Sequence, residues 1–426
     1  MSVELISVTK EEQDRNGTDE CLAIEVEEED LVRSAIVIYG GGANTEHFGS
    51  AIDALGVDHD VHIVEIRKPN RPFPLARLHL VNTPEGQQRV EELYESDEGV
   101  HTAYGSLVPS MHVDFLTKQL EYIGDGKLDF VVVSKPAVED SKQMREVRAA
   151  KRAAEEKLRL RFGPEYVAEH PTVFVHEHYL EKGAVVALNE QLGRAAERLG
   201  RPSRVDMYIE EARTAEAEGR VRAFGGGFLD LHAHLLSMGL GIQSAINTTG
   251  RWEIPDTSLS SVERFRYEGS ELPEDVETGF IIDGNSTIID TENGGTEYDL
   301  PFTWSGGKGL KDRKEIVIEF VQPDTGEVSV IRADLRNNIL EVPESVSDLF
   351  PRTEFDDNGY GPSVKFGLDG LNGGNPRTSF QEWDVAERVV KWGEALARIG
   401  QAEPPHVYPK DKIGKTSLRE LSQASA

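Results

Sequence analysis

Apolar and polar positions along residues 34–175 fall into a repeating order of strand, turn and helix. Ala35-Ile36-Val37-Ile38-Tyr39 is an apolar run of strand length, Gly40-Gly41-Gly42 follows as a tight turn, and 44–55 has the period of an amphipathic helix. A second strand is expected at 61–66. Thr83 then caps a helix over 84–94, Leu107-Val108-Pro109 ends another strand-like piece, 110–122 is helical, and 128–133 is a third apolar strand. Strands joined by crossover helices imply a parallel sheet.

The pattern changes after Pro136. A long charged helix is expected over 140–160, a strand over 172–175, and helices over 181–199 and 227–246. Strand-like runs then follow one another without helices, at Phe280-Ile281-Ile282, 315–322 and 328–335, as in an antiparallel sheet. A glycine-rich stretch (367–376) precedes a closing amphipathic helix over 384–399. The chain therefore divides into an N-terminal extension (1–30) with room for one edge strand, a doubly wound domain (31–175), a substrate domain (176–400) and a C-terminal tail (401–426). The expected fold class is an α/β doubly wound domain followed by an α+β domain with a large, mostly antiparallel sheet. A sheet face of that size needs cover, so a homodimer or homotetramer is expected.

Composition narrows the partners. The 426 residues hold 46 basic and 76 acidic side chains, a net charge of −30. Nucleic acid is excluded as the main partner, because phosphate neutralisation needs a basic face. The carboxylates are dispersed, and Lys is scarce at 17 against 29 Arg. Such a surface suits a halophilic protein, since in molar salt the Debye length shrinks to about 3 Å and self-repulsion is screened; an ordinary acidic enzyme is the alternative. Cys21 is the sole cysteine, so neither an intrachain disulfide nor a cysteine metal site can form. The first 30 residues lack the apolar core of a secretory signal, and no apolar run nears the roughly 18 residues of a spanning helix. A soluble, cytoplasmic chain with no membrane partner is the expectation.

Four stretches carry candidate chemistry. Gly40 and Gly42 follow a strand and open a helix, the context in which glycines let a pyrophosphate approach the backbone; a structural turn is the plainer alternative. At the next strand end, Glu65 would bond a ribose hydroxyl and favour NAD, whereas Arg67 or Lys68 would hold the 2′-phosphate of NADP or simply be solvated. Lys135, in Ser134-Lys135-Pro136, follows a buried strand and points toward the ligand crevice or into solvent. His176-Glu177-His178-Tyr179-Leu180-Glu181-Lys182 and His232-Ala233-His234 supply histidines and carboxylates, the ordinary pairing for moving a proton near neutral pH.

Taken in order, these stretches resemble the glucose-6-phosphate dehydrogenase family, whose sugar domain is related to that of the glucose–fructose oxidoreductase and inositol dehydrogenase group. Phe130-Val131-Val132-Val133-Ser134-Lys135-Pro136 resembles its V-V-V-E-K-P strand end, and His178-Tyr179-Leu180-Glu181-Lys182 its H-Y-L-G-K signature, with Glu177 in the place of Asp. His234-Leu235-Leu236 is similar to N-H-L-L. The run from Pro301 to Leu310, with Trp304 and Lys308, resembles P-F-x-x-R-T-G-K-x-L, and Val321-Gln322-Pro323-Asp324 the family's I-Q-P-D.

The resemblance implies a Rossmann-type first domain, NADP or NAD as coenzyme, and oxidation of glucose 6-phosphate or a related sugar phosphate at C1 to the lactone. It implies His234 as general base, Glu177 as its orienting acid, and Lys135 as a catalytic and coenzyme-side contact to a sugar hydroxyl. His178, Tyr179 and Lys182 would hold the sugar phosphate, with Lys308 and Arg313 as further contacts and Glu211 and Asp230 on other hydroxyls. No metal takes part. The glycine turn lacks the family's G-D-L-A-x-R-K continuation, Ser134 replaces a glutamate and Ser305 an arginine, so another sugar or inositol is the alternative substrate. Two other readings stand beside it. Asp230-Leu231-His232-Ala233-His234 also resembles the D-x-H-x-H of metal-dependent hydrolases, with His176 and His178 as added ligands if the motif lies on a strand. A catalytically silent relative serving in assembly is the third.

Overall fold

The computed structural model describes residues 35–40, 60–65, 77–96, 99–213, 227–356, 380–381, 383–400 and 404–425. The expected extension at 1–30, the helix at 44–55, Gly42, Arg67, Lys68 and the glycine-rich stretch at 367–376 lie outside them.

Short β-branched runs build the first sheet. Strands β1 (Ala35–Tyr39), β2 (Asp60–Glu65), β3 (Arg77–Leu80), β4 (Val100–Gly105), β5 (Leu128–Ser134) and β6 (Val173–His176) pair in parallel. Their order across the sheet is β6-β5-β4-β1-β2-β3, so the chain reverses direction of growth between β1 and β4. That reversal is the topological switch point at which doubly wound sheets bind ligands. The crossover helices are α1 (Pro84–Glu95), α2 (His112–Gly124) and α3 (Ser141–Phe162). Thr83 caps α1 by accepting from Gly86 N at 3.1 Å, and Asp140 caps α3 by accepting from Gln143 N at 2.8 Å. The strand expected to end at 107–109 is β4 instead, ending at Gly105; Pro109 opens a 3₁₀ turn before α2. Alternation of His and Thr with apolar residues in Val100-His101-Thr102-Ala103-Tyr104 hid a strand that is buried throughout.

After a short helix, α4 (Pro164–Glu169), and β6 the chain enters α5 (Gly183–Leu199) and β7 (Arg201–Glu211). Helix α6 (Gly227–Ile246) precedes the long strands β8 (Trp252–Tyr267), β9 (Gly279–Asp290), β10 (Thr296–Lys308), β11 (Arg313–Val321), β12 (Val328–Asp334) and β13 (Ile339–Glu341). The second sheet runs β13-β12-β11-β7-β10-β9-β8, antiparallel except for the β7–β10 pair. The large, mostly antiparallel sheet is therefore present. A two-residue strand, β14 (Phe380–Gln381), then returns to the first sheet and pairs antiparallel with β6. The residues expected as a tail form β15 (His406–Tyr408), which extends the second sheet beside β8, and α8 (Leu418–Ser425). Leu418 and Tyr408 pack with Phe265 and Tyr267, which ties this segment down.

One face of the second sheet packs on α5 and α6. Helix α6 is apolar almost all round, with Leu231, Leu235, Leu236, Met238 and Ile242 buried, as befits a helix enclosed on every side. Gly239 is where it crosses the sheet, since a Cβ there would sit 2.6 Å from the Trp304 ring. Helix α7 (Trp383–Gly400) joins the two cores: Trp383, Ala386 and Val390 belong to the first, Val389 and Leu396 to the second. Both sheets lie in one compact unit. Among the described residues no helix is long and apolar enough to cross a membrane.

Candidate active site

The carboxyl ends of β1, β5 and β6 lie on one edge of the parallel sheet, where ligands bind in this topology. Gly40 follows β1 at φ +97°, and a Cβ on it would meet the Ser106 carbonyl oxygen at 2.3 Å. Only glycine fits both the left-handed conformation and the approach of β4's exit. Glu65 ends β2, half-buried, at the position from which a ribose is reached in such folds.

Beyond β5 the chain continues into Lys135 and Pro136, joined by a cis peptide bond. The His112 ring lies at the buried start of α2, with Nδ1 2.8 Å from the Pro136 carbonyl and Nε2 3.1 Å from the Leu107 carbonyl. It lies between the two exit loops, and burial pushes it down to about 4, so the neutral ring donates to one carbonyl at a time. No sequence motif singled it out; an isolated histidine before an amphipathic helix carries no signal.

Beyond β6 the chain makes a tight turn, with Leu180 N donating to Glu177 O at 3.0 Å and Val185 N to Lys182 O at 2.8 Å. The turn drives Glu177 inward, to 0% exposure. Its Oε1 accepts from Tyr179 N at 3.1 Å and from Nδ1 of His234, which sits in the middle of α6 at 3% exposure. A carboxylate and an imidazole this deeply buried must be paired, since either alone would forfeit its hydration. Burial pushes Glu177 up to about 7, against the pull of nearby Lys135.

Two rings close over the pair. His178 and Tyr179 lie edge-on to the His234 ring, with centroids 4.9 Å and 4.8 Å away. Burial, followed by the charges of His234, His176, Lys135 and Lys182, pushes His178 well below its ordinary value, so at neutral pH it is a neutral donor or acceptor. Lys182 is half-buried at the start of α5.

The sheet supplies the rest. Glu211, at the end of β7, bonds both Lys308 and Lys314, and Lys314 stands 6.0 Å from the centre of the Tyr179 ring. Burial pushes Glu211 up, but the two lysines outweigh it and hold the carboxyl below its ordinary value. The triad leaves one net positive charge on the Tyr179 side. The expected contacts shift accordingly. Lys308 is buried and committed to Glu211. Arg313 points to the opposite face of the sheet, over the Tyr208 ring and bonded to Glu315, because neighbours on a strand alternate. Its neighbour Lys314 occupies the site in its stead. The Asp230 side chain lies outside the described residues.

The hydrolase reading does not survive the geometry. It needs the two histidines on one strand face, but they lie on α6, where residues two apart diverge by about 200°. His232 faces α7, where a Cβ on Gly393 would sit 2.6 Å from its Nε2. His176 is engaged elsewhere, 2.8 Å from the Tyr104 hydroxyl and 3.3 Å from Glu181.

No family model matches the chain, and no curated protein sequence does. Solved structures do, and they have the two-domain fold of the inositol dehydrogenase group. The myo-inositol dehydrogenase from Corynebacterium glutamicum aligns with TM-score 0.55 and 14% identity over 87% of this chain and 97% of its own. The UDP-N-acetylglucosamine 3-dehydrogenase from Acidithiobacillus ferrooxidans gives 0.55 and 13% over 86% and 98%. The WlbA dehydrogenase from Bordetella pertussis, solved with NADH and UDP-GlcNAcA, gives 0.52 and 13% over 87% and 97%. At such identities the likeness establishes the fold. It meets the broader half of the resemblance; none of these three is a glucose-6-phosphate dehydrogenase.

Proposed function

We propose that this protein is an NAD(P)-dependent oxidoreductase acting on a secondary or anomeric hydroxyl of a sugar, sugar phosphate or cyclitol. The observation that carries this reading is the buried Glu177–His234 pair on the ligand edge of a doubly wound sheet. Sugar, nucleotide-sugar and inositol dehydrogenases among the structural neighbours support it, one of them holding NADH. Gly40 and Glu65 fit a dinucleotide at the switch point. A nicotinamide bound there supplies the acceptor for the hydride that leaves the substrate carbon.

The chain's own residues manage the proton and the pose. Nδ1 of His234 is committed to Glu177, so Nε2 takes the hydroxyl proton, and the carboxylate stabilises the resulting imidazolium. Lys135 donates to a substrate hydroxyl from the β5 end. Lys182 and Lys314 supply positive charge for an anionic substituent, with His178 and Tyr179 as neutral hydrogen-bonding partners.

Glucose 6-phosphate, oxidised at C1, is the specific substrate proposed, on the order of the sequence motifs. Nicotinamide reduction assayed in molar KCl, crossing NAD and NADP with glucose 6-phosphate, free glucose, inositol and nucleotide sugars, tests it. Turnover with glucose 6-phosphate alone is the expected result. Turnover with another member of the panel would overturn the substrate and keep the reaction, and reduction with none would overturn both.

A further inference from the structure

Glu177, His178 and His234 each present a donor atom, and the three atoms lie within 4.8 Å of one another. The two imidazole rings are 4.9 Å apart between centroids, with their planes crossed at 84°. The second carboxylate oxygen is informative. Glu177 is wholly buried, its Oε1 takes both hydrogen bonds, and its Oε2 has no hydrogen-bond partner among the described residues. A buried carboxylate oxygen left unsatisfied costs about 1–3 kcal/mol or more, so something that binds there is favoured. His178 is half-buried, which opens the set to the crevice.

We infer that these three side chains form a binding site for a single divalent cation of the zinc type, which displaces the proton from Nδ1 of His234, and that the proton then held on Nε2 takes away the acceptor. Two imidazoles and one carboxylate with an open fourth position are a donor set that suits Zn²⁺. Mg²⁺ and Ca²⁺ require mostly oxygen ligands and are disfavoured. Tetrahedral ligands about 2.0–2.1 Å from zinc stand roughly 3.4 Å apart, so the set closes with side-chain rotations of about an ångström. Lys135 and Lys182 act electrostatically on this cluster and oppose the cation. The affinity is therefore expected near micromolar, far weaker than that of a structural zinc, and the cation is a reversible inhibitor. Metal binding depends only on the three donors; inhibition rests on His234 being the base.

Co²⁺ and Zn²⁺ titrations of the full chain test the inference. One equivalent of Co²⁺ should give the intense visible absorption of a tetrahedral site and be displaced by one equivalent of Zn²⁺. Equilibrium dialysis should show Glu177→Gln and His178→Ala each weakening Zn²⁺ binding by about 100-fold, at or above the upper end of what supporting residues contribute to metal sites. His406→Ala, at an exposed histidine, should bind as the parent does. Circular dichroism confirms that each variant is folded. A weak octahedral cobalt spectrum, no binding below millimolar, or equal binding by all variants would overturn the site. Cobalt binding needs no turnover, so a failed dehydrogenase assay leaves this test intact, and a failed titration leaves the oxidoreductase reading standing.

Discussion

His234 donates from Nδ1 to Glu177 across the gap between a buried helix and the turn after β6. The contact joins residues 57 positions apart, so only the assembled fold creates it. His234→Asn should lower kcat by about 10²–10⁴, the usual weight of a positioned base. Glu177→Gln keeps the shape and removes the charge that supports the imidazolium, and should cost roughly 10² in kcat. In both variants the affinity for NAD(P)H, followed by its fluorescence, should stay within threefold of the parent. An unchanged kcat in His234→Asn would remove the proposed base.

Lys314 and Arg313 are neighbours with opposite destinies. Lys314 shares Glu211 with Lys308 and faces Tyr179, whereas Arg313 lies over Tyr208 on the other side of the sheet. Lys314→Ala should raise KM for a phosphorylated substrate by about tenfold, the weight of one charge-assisted hydrogen bond, and change KM for the free sugar far less. Arg313→Ala should leave both values within twofold and lower thermal stability only slightly. The reverse pattern would return the arginine to the site and displace the lysine.

That pair also marks how far the chain could be read before folding. Periodicity located β1, β5, α3, α5, α6 and α7 within a few residues, because each is long or uniformly apolar. Strands β4, β7 and β8 mix polar or charged residues with apolar ones and were not legible as strands. Glu177, His234 and Lys135 could be picked out as polar residues that follow or interrupt apolar runs, while the roles given to them came from the family resemblance. Which face a residue takes at a strand end depends on a one-residue register, so a motif resemblance that reached Arg313 carried no information on which side of the sheet it would lie. His112 lies between carbonyls from two separate loops, a placement that exists only in three dimensions.

The net charge of −30 makes its own forecast. In dilute buffer the dispersed carboxylates repel one another. Raising KCl to molar levels cuts the Debye length to about 3 Å and removes that repulsion, at the expense of exposed ion pairs such as Lys118–Glu121 that contribute at most about 1 kcal/mol each. Repulsion should win. The melting temperature is expected to rise by about 3 °C between 0.1 and 2 M KCl, some 2–4 kcal/mol at about 0.9 kcal/mol per degree for a chain of this size. A flat or falling curve in differential scanning calorimetry would mark an ordinary acidic protein.

Glu210 offers a test of buried charge away from the site. It lies on β7 with its side chain wholly buried; Ser305 Oγ donates to Oε1 at 2.7 Å, and Oε2 has no hydrogen-bond partner among the described residues. Arg313 from β11 and the Leu418 amide of α8 favour its charge, and Glu420 opposes it, but burial dominates and pushes the carboxyl up to about 7. Unfolding returns it to its ordinary 4.5, so the native state holds an extra proton between those values. Its contribution to stability is complete below about pH 4.5 and is lost as pH rises through 7, about 3 kcal/mol in all. Glu210→Gln keeps the shape and the Ser305 contact while abolishing the titration. Between pH 5 and pH 8 the variant should gain about 2.5 kcal/mol on the parent in denaturant unfolding, whatever the two chains' absolute stabilities. The comparison cancels His112 and His176, which burial pushes down to about 4 and which therefore destabilise the fold toward acid in both proteins. Parallel stability curves for the two proteins would show that Glu210 is already ionised in the fold at pH 5.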